Sequence, residues 1–443
     1  MYNPDLEALP RDKLRTLQTK RLKHVVKTVY ERVPFYQKAF DNKGLGANSI
    51  SSIDDIHLLP FTKKQDLRDT YPTGLFAVPQ QEVVRIHASS GTTGKPTVVG
   101  YTRKDIAIFA EVNARCLVAG GARPGMVFHN AYGYGLFTGG LGLHYGAEKL
   151  GMTVVPVSGG MTERQLTLIQ DLKPEVICCT PSYAQTLAGE FAKLGVEPSE
   201  LSLKFGVLGA EPWSNAIRQD VEAGLGVKAT NIYGLSEIIG PGVSNEAAEE
   251  QDGSYIWEDH FYPEIVDPDT GEPLDDGEEG VLVITTLTKE ALPLIRYWTG
   301  DITSLSREPS LTGRTHARMG MIRGRADDML IIRGVNVYPT QIEAVLEKMP
   351  ELAMHYQLVV SRQETLDELE LKIELTENSY REMSLASDEV TSSEVVKALA
   401  TQLKHLVKDS VGISLEPTLL APGAIPRSAG GKLRRTVDNR HFE

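Results

Sequence analysis

The chain has 443 residues, 41% of them hydrophobic, which supports a large core and more than one domain and suits a globular protein, not a disordered one. A formal net charge of −13 sets the global field against nucleic acid and anionic membrane surfaces. Three cysteines, two of them adjacent at Cys178 and Cys179, give neither a disulfide framework nor a zinc-ligand spacing and point to a reducing cytoplasm.

Lys13 to Tyr30 is basic and helical in pattern but contains no long apolar core, so it reads as neither a signal peptide nor a membrane span. A helix packed on the body with a solvated basic face is expected there, rather than a membrane-surface helix. The segment Ser89-Ser90-Gly91-Thr92-Thr93-Gly94-Lys95-Pro96-Thr97 comes next. Glycines let a backbone approach a ligand closely, and free N–H groups, hydroxyls and an ammonium together can hold a polyphosphate. It is not a Walker A loop, which needs four residues between its glycines and then Gly-Lys-Ser/Thr. Read alone, it is either a phosphate cradle or an ordinary Ser/Thr/Gly surface loop.

From about residue 125 to 235, strand and helix signals alternate. Met126–His129, Thr153–Val157, Glu175–Thr180, Phe205–Leu208 and Val227–Ile232 read as buried strands. Thr162 with Gln165, and Ser182 with Gln185, have capping-box spacing, and the helices they open are expected to stop before Pro174 and near Gly195. The alternation predicts a mostly parallel sheet with helices on its faces, whose ligands lie beyond the carboxyl ends of the strands. After about residue 250, Pro263–Asp267 and Gly280–Thr286 flank a turn-rich stretch and read as a hairpin. A compact α+β unit begins near Gly324. Met329–Arg333 reads as a strand, Pro339 opens a helix, Glu368–Glu374 alternates as a strand, and Val395–Val411 is an amphipathic helix. The chain ends in a glycine-containing loop around Lys432.

Four further segments stand out: Tyr233-Gly234-Leu235-Ser236-Glu237, Tyr297-Trp298-Thr299-Gly300-Asp301, Gly324-Arg325-Ala326-Asp327-Asp328 with Arg333-Gly334, and Ile425-Pro426-Arg427-Ser428-Ala429-Gly430-Gly431-Lys432. Singly, each reads as well as a solvated charge, a helix cap or plain core. In this order, with the Ser89 loop, they resemble the adenylate-forming superfamily of acyl-CoA synthetases, adenylation domains and luciferases, over nearly the whole chain. Longer strings narrow the resemblance to the phenylacetate-CoA ligase family. They are Ala131-Tyr132-Gly133-Tyr134-Gly135-Leu136-Phe137-Thr138-Gly139-Gly140, His144-Tyr145-Gly146-Ala147-Glu148, Gly209-Ala210-Glu211-Pro212-Trp213 and Trp257-Glu258-Asp259-His260.

The resemblance implies an α/β fold. A large N-terminal domain (1–326) of strand-helix layers with a β-rich subdomain is followed by a small mobile C-terminal α+β domain (327–443). It implies that an aryl acid, phenylacetate first, is activated with ATP as an acyl-adenylate and passed to coenzyme A, releasing AMP and pyrophosphate. A hydroxylated or otherwise altered aryl acid, or loading of a carrier protein, is the alternative within the superfamily. A kinase, which would release ADP, and a binding module that has lost catalysis are the alternatives outside it.

Residue by residue, Ser89, Ser90, Gly91, Thr92, Thr93, Gly94 and Lys95 would hold the β- and γ-phosphates. Ser236 would bond a phosphate oxygen, and Glu237 would hold Mg²⁺. Lys432 matches the adenylation lysine, but its loop runs Pro-Arg-Ser-Ala-Gly-Gly-Lys, one residue longer than the family's Pro-Arg-Ser-Glu-Gly-Lys. Asp301 would accept from both ribose hydroxyls, Tyr233 with Gly234 would stack on adenine beside Gly209, Ala210 and Glu211, and Arg325 would reach ribose or phosphate. Asp327 matches the hinge and Gly334 the pantetheine passage. Tyr132, Tyr134, Gly135, Phe137, Ile238, Pro241 and Gly242 would form the acyl pocket. Some relatives carry a structural zinc on cysteines and a histidine. The corresponding stretches here read Asn245-Glu246-Ala247 and Ser310-Leu311-Thr312-Gly313 and leave only His260, so no structural zinc is expected. The expected partner is a small-molecule aryl acid, without nucleic acid or membrane, and a homodimer is left open.

Overall fold

The strand-helix alternation after residue 125 builds the centre of the larger of two units. A computed structural model describes residues 1–89, 96–136, 138–211, 213–326, 330–332, 335–337, 339–363, 366–383, 390, 393–426 and 435–439. The chain divides into compact units Met1–Met321 and Ile322–Glu443. The division falls ahead of Asp327, the residue matched to the hinge.

In the first unit, α1 (Pro4–Glu7), α2 (Arg11–Arg32) and α3 (Pro34–Asp41) come first. Helix α2 buries Leu14, Leu22, Val25, Val26 and Val29 and leaves Lys13, Lys20, Lys23 and Lys27 on its outer side, so its basic residues form the solvated face of a packed helix. After α4 (Lys64–Asp69), strands β1 (Arg85–Ser89) and β2 (Thr97–Tyr101) pair antiparallel, with Ser89 opposite Thr97. This hairpin brackets the Ser/Thr/Gly segment, whose residues 90–95 lie outside the described set. Helix α5 (Arg103–Ala119) starts at a true capping box, Thr102 with Asp105.

A nine-stranded sheet follows. Strands β3 (Val127–Asn130), β4 (Thr153–Val155), β5 (Val176–Cys179), β6 (Phe205–Gly209) and β7 (Lys228–Leu235) run parallel in the order β4-β3-β5-β6-β7. Helices α6 (Gly139–Leu150), α7 (Thr162–Leu172), α8 (Pro181–Lys193) and α9 (Asn215–Leu225) alternate with them. Strand β5 is buried along its whole length, which is why Val-Ile-Cys-Cys shows no polar alternation. At β7 the chain reverses. Strands β8 (Gly240–Glu246), β9 (Ser254–Ile256), β13 (Leu305–Ser306) and β14 (Arg318–Met319) extend the sheet antiparallel in the order β7-β8-β9-β14-β13. Strands β10 (Phe261–Val266), β11 (Gly280–Thr286) and β12 (Tyr297–Thr303) run antiparallel beside one another, β10 and β11 being the hairpin read from the turn-rich stretch.

Both capping boxes read between 160 and 190 are absent. Helix α7 begins at Thr162 itself, and Gln165 instead donates to the Ser158 and Gly160 carbonyls and meets the His129 ring, so tertiary bonds outcompete the local cap. At α8 the cap is Thr180, which accepts from the Tyr183 N–H, because Pro181 with its preset φ takes the first helical position.

A buried charge cluster ties the N-terminal helices to this body. The Arg115 guanidinium on α5 donates to both Asp259 oxygens at 2.7 and 3.1 Å and to Glu111 at 2.6 Å. Arg21 on α2 lies 3.6 Å from the same carboxylate, and Arg11 pairs with buried Glu258. Burial opposes the Asp259 charge, but His260 and Arg115 outweigh it and hold the carboxyl below the usual range.

The second unit contains β15 (Gly324–Arg325), the hairpin of β16 (Leu330–Ile332) and β17 (Val335–Val337), α10 (Pro339–Leu346), β18 (Leu352–Gln363), β19 (Leu366–Leu375), α11 (Glu377–Glu382), α12 (Glu394–Val411), β20 (Glu416–Leu420) and β21 (Thr436–Asp438). Its sheet runs β20-β19-β18-β21. Val396, Leu399, Leu403 and Val407 form one stripe of α12 in a core shared with Ile342 of α10, Leu358 of β18 and Ile373 of β19.

Candidate active site

The Tyr233–Gly242 segment is a β-hairpin tip. Strand β7 ends at Leu235, residues 236–239 form the turn, and β8 begins at Gly240, with a register shift between Tyr233 and Gly234. The approach is so close that a Cβ on Gly234 would sit 1.8 Å from the Gly240 carbonyl oxygen, so only glycine fits. The tip therefore projects Ser236, Glu237 and Ile238 together at the carboxyl end of a parallel strand, where such sheets place their ligands.

Four other segments converge on this tip. From the turn entering α6, the Thr138 hydroxyl meets the Ser236 hydroxyl at 3.2 Å. That turn is itself tied to β1, where the Ala88 N–H donates to the Leu136 carbonyl at 3.1 Å. From β2, the Tyr101 hydroxyl donates to the Ile239 carbonyl at 2.9 Å. From the segment after β11, Lys289 Nζ donates to the Glu237 carbonyl at 3.3 Å. The Glu237 side chain is buried, and Lys64 Nζ stands 3.9 Å from its carboxylate. Ile238 is fully buried, and the Pro241 carbonyl accepts from Asn113 on α5 at 2.9 Å. Gly242 has φ +105° and lies against Val112 and Asn113.

One strand over, β6 ends at Gly209, where a Cβ would lie 2.0 Å from the Ile232 carbonyl oxygen across the ladder. Ala210 follows with φ 72°, a left-handed conformation costly for a residue with a Cβ. The Glu211 carboxylate accepts from the Ser182 N–H at 2.6 Å and so braces the start of α8. Tyr233, the residue after Ile232, which pairs with Gly209 in the sheet, donates its hydroxyl to Asp301 Oδ2 at 2.6 Å.

Tyr132 and Tyr134 lie on the segment between β3 and α6. Tyr132 flanks Gly139, and the Tyr134 hydroxyl accepts from Asn130 at 2.8 Å and meets His144 Nδ1 at 3.1 Å. Burial pushes the Tyr134 phenol up to about 12 against the Asn130 bond, so it is protonated at neutral pH. Gly135 is exposed, with open space where a side chain would go. Arg325 lies in β15. Ser90, Gly91, Thr92, Thr93, Gly94, Lys95, Phe137, Asp327, Gly334 and Lys432 lie outside the described residues, as does the side chain of Ser89.

The structure thus brings together Ser236, Glu237, Tyr233 and Asp301, with Thr138, Tyr101, Lys64 and Lys289 as neighbours that the sequence did not single out. Lys289 sits in Thr-Lys-Glu, which in sequence looks like a solvated charge pair, and it is buried. Among the described residues no group of three or more His, Cys, Asp or Glu gathers as a metal cluster, and no helix is long and apolar enough to cross a membrane.

Comparison with known proteins covers the whole chain. The family model described as AMP-binding enzyme matches residues 7–288, and that described as AMP-binding enzyme C-terminal domain matches residues 334–440. The chain is 66% identical to the phenylacetate-coenzyme A ligase of Thermus thermophilus, over 99% of this chain and 100% of the relative. It is 52% identical to the phenylacetate-coenzyme A ligase of Escherichia coli, over 99% and 97%. A crystal structure of 2-hydroxyisobutyryl-CoA ligase in the postadenylation state, in complex with 2-HIB-AMP, aligns with a TM-score of 0.89 at 29% identity, over 99% of this chain and 92% of that one.

Proposed function

The chain belongs to the AMP-binding enzyme family and, within it, to the phenylacetate-coenzyme A ligases, and from that premise we propose that it activates phenylacetate with ATP and transfers the acyl group to coenzyme A. The observation that carries the reading is the full-length likeness to those ligases. The convergence of Tyr233, Ser236, Glu237 and Asp301 at the carboxyl ends of β7 and β12 supports it. A single hairpin tip and its neighbours supply a ring, a hydroxyl, a buried acid and a diol acceptor, which is what a nucleotide requires.

In the first step a carboxylate oxygen attacks the α-phosphorus of ATP. The acyl–phosphate bond forms, the bond to the β-phosphate bridge breaks, and pyrophosphate leaves. In the second step the thiol of coenzyme A loses its proton and its sulfur attacks the acyl carbon, with AMP leaving. The first step joins anions, so positive charge and fixed donors are its main requirement. Asp301, oriented by Tyr233, accepts from the ribose hydroxyls. Gly209 and Ala210 bring main chain to the adenine edge, and Ser236 donates to a phosphate oxygen. The Ser89–Lys95 segment, bracketed by β1 and β2, holds the phosphates that depart, and Arg325 contacts ribose or phosphate. Lys432 bridges the substrate carboxylate and the α-phosphate. Asp327 is the hinge and Gly334 lines the thiol passage. Tyr132, Tyr134, Gly135, Phe137, Ile238, Pro241 and Gly242 surround the aryl ring, for which aromatic faces and an apolar wall are suited.

Magnesium fits this site. A single buried carboxylate, Glu237, suits a metal held by one protein acid and substrate phosphates rather than by a protein cage, and the Lys64 ammonium 3.9 Å away is its counter-charge without the metal. When bound, the metal neutralises phosphate charge. The three cysteines are buried free thiols, which suits a reducing cytoplasm.

The test is an assay with ATP, coenzyme A and a panel of aryl acids, read by AMP. Phenylacetate is expected to give AMP and thioester in equal amounts without any carrier protein. Release of ADP, or AMP formation that requires a carrier protein, would overturn the reading.

A further inference from the structure

We infer that Lys289 and Tyr101 form a two-point clamp on the hairpin tip that aims Glu237 at the metal–nucleotide, making Lys289 a positioning residue for MgATP binding. The inference rests on the reading of Glu237 as the metal-linked acid.

The turn 236–239 is gripped at two of its own carbonyls. Lys289 Nζ donates to the Glu237 carbonyl at 3.3 Å, and the Tyr101 hydroxyl donates to the Ile239 carbonyl at 2.9 Å. The two grips support each other, since the Lys289 ammonium lies 4.7 Å from the Tyr101 ring centroid, a cation–π contact. The base of the lysine is seated as well. Asp105 accepts from the Glu290 and Ala291 N–H groups at 2.7 and 2.9 Å, fixing the main chain next to Lys289 to the first turn of α5.

Lys289 is only 3% exposed. Taking an ammonium out of water is costly, and a methionine of similar volume would fill the same space without that cost. A fold that needed only packing here has no use for the charge. What the charge supplies is a strong, directional hold on the carbonyl of the residue whose carboxylate must meet the metal. Burial pulls the Lys289 pKa down to about 8 while Asp105 and Glu237 pull it back up, so the side chain keeps its charge at neutral pH.

The test compares Lys289→Met, Tyr101→Phe, Glu237→Gln and the Lys289→Met/Glu237→Gln double variant. Calorimetry reads the affinity for MgATP and for AMP, and pyrophosphate exchange reads half-saturation by Mg²⁺. Lys289→Met is expected to weaken MgATP about tenfold and raise the Mg²⁺ requirement, while changing AMP affinity less than about twofold. Tyr101→Phe, which keeps the ring, is expected to act in the same direction by a smaller factor, and covers the case of a Lys289→Met protein that does not fold. In the Glu237→Gln background the Lys289→Met effect is expected to vanish, because both act through one carboxylate. Equal losses for MgATP and AMP, or full additivity with Glu237→Gln, would overturn the clamp while leaving Glu237 in its role. No effect of Glu237→Gln on the Mg²⁺ requirement would overturn the metal reading and the clamp together.

Discussion

The Tyr233 hydroxyl donates to Asp301 Oδ2 at 2.6 Å, joining β7, the central strand of the nine-stranded sheet, to β12 of the neighbouring antiparallel strands. Both residues are buried, so the bond is a charge-assisted one in a low-dielectric setting. In the proposed mechanism Tyr233 therefore has two tasks, presenting its ring face to adenine and fixing the plane of the carboxylate proposed to accept the ribose hydroxyls. Tyr233→Phe keeps the first and removes the second. The KM for ATP in pyrophosphate exchange is expected to rise about tenfold, with kcat falling less. An unchanged KM would show that Asp301 needs no orienting partner.

The Arg115–Asp259 pair makes a prediction about stability. Both side chains are fully buried, and the guanidinium spans both carboxylate oxygens at 2.7 and 3.1 Å. Arg115→Met leaves Asp259 with Arg21 at 3.6 Å and His260 at 3.3 Å but without its bidentate partner. The loss is expected to be roughly 3–5 kcal/mol, read as a lower urea midpoint, because the cost is an uncompensated buried charge and not merely a lost contact. Adding Asp259→Asn is expected to recover part of that loss, since it removes the stranded charge.

The features most legible in the sequence were those written in local periods and short strings. The strands from Val127 to Ile232, the α12 stripe and the β10–β11 hairpin follow from alternation and turn chemistry alone. The Tyr233–Glu237 string stood out in the sequence, but not that it leads into a hairpin tip, because the reversal at β8 depends on Gly234 packing against Gly240 across the strand pair. Lys289, Tyr101 and Thr138 were not legible at all. Each acts on the tip from a distant segment, and a lysine beside a glutamate carries no sign in sequence that it is buried. The Thr162–Gln165 and Ser182–Gln185 spacings failed for a related reason, since Gln165 found His129 and two carbonyls, and Pro181 moved the cap to Thr180.

His260 ties acid stability to the same charge cluster. Burial, the largest effect, lowers its pKa to about 4 against the pull of Asp259, while Arg115 and Arg21 push further down and Glu111 pulls up. Its Nδ1 lies 2.7 Å from the Thr288 hydroxyl. The folded pKa lies below the unfolded one, so the unfolded chain binds the extra proton between them. The contribution is fully present above about pH 6.5 and is lost as pH falls towards about 4, at most about 3 kcal/mol. Urea unfolding at a series of pH values between these limits is expected to show stability falling with acid. His260→Asn is expected to flatten that slope, and a slope unchanged in the variant would assign it to other groups.

Lys432 offers the sharpest separation of the two half-reactions. The first step brings a carboxylate against the α-phosphate and needs a cation placed where negative charge builds. The second displaces AMP from an acyl group that is already activated and has no such need. Lys432→Ala is therefore expected to lower ATP–pyrophosphate exchange by roughly 10²–10³, the usual cost of losing one preorganised charge contact. Thioester formation from supplied phenylacetyl-adenylate and coenzyme A is expected to stay within a few-fold of the unmodified protein. Equal damage to both steps would mean that the lysine supports the fold or nucleotide binding in general. Because its loop is one residue longer than the family pattern, Lys432→Arg is informative as well. An arginine that restored exchange would show that the loop leaves room for a longer, planar cation, whereas no rescue would mean that the ammonium's compact charge is what the step requires.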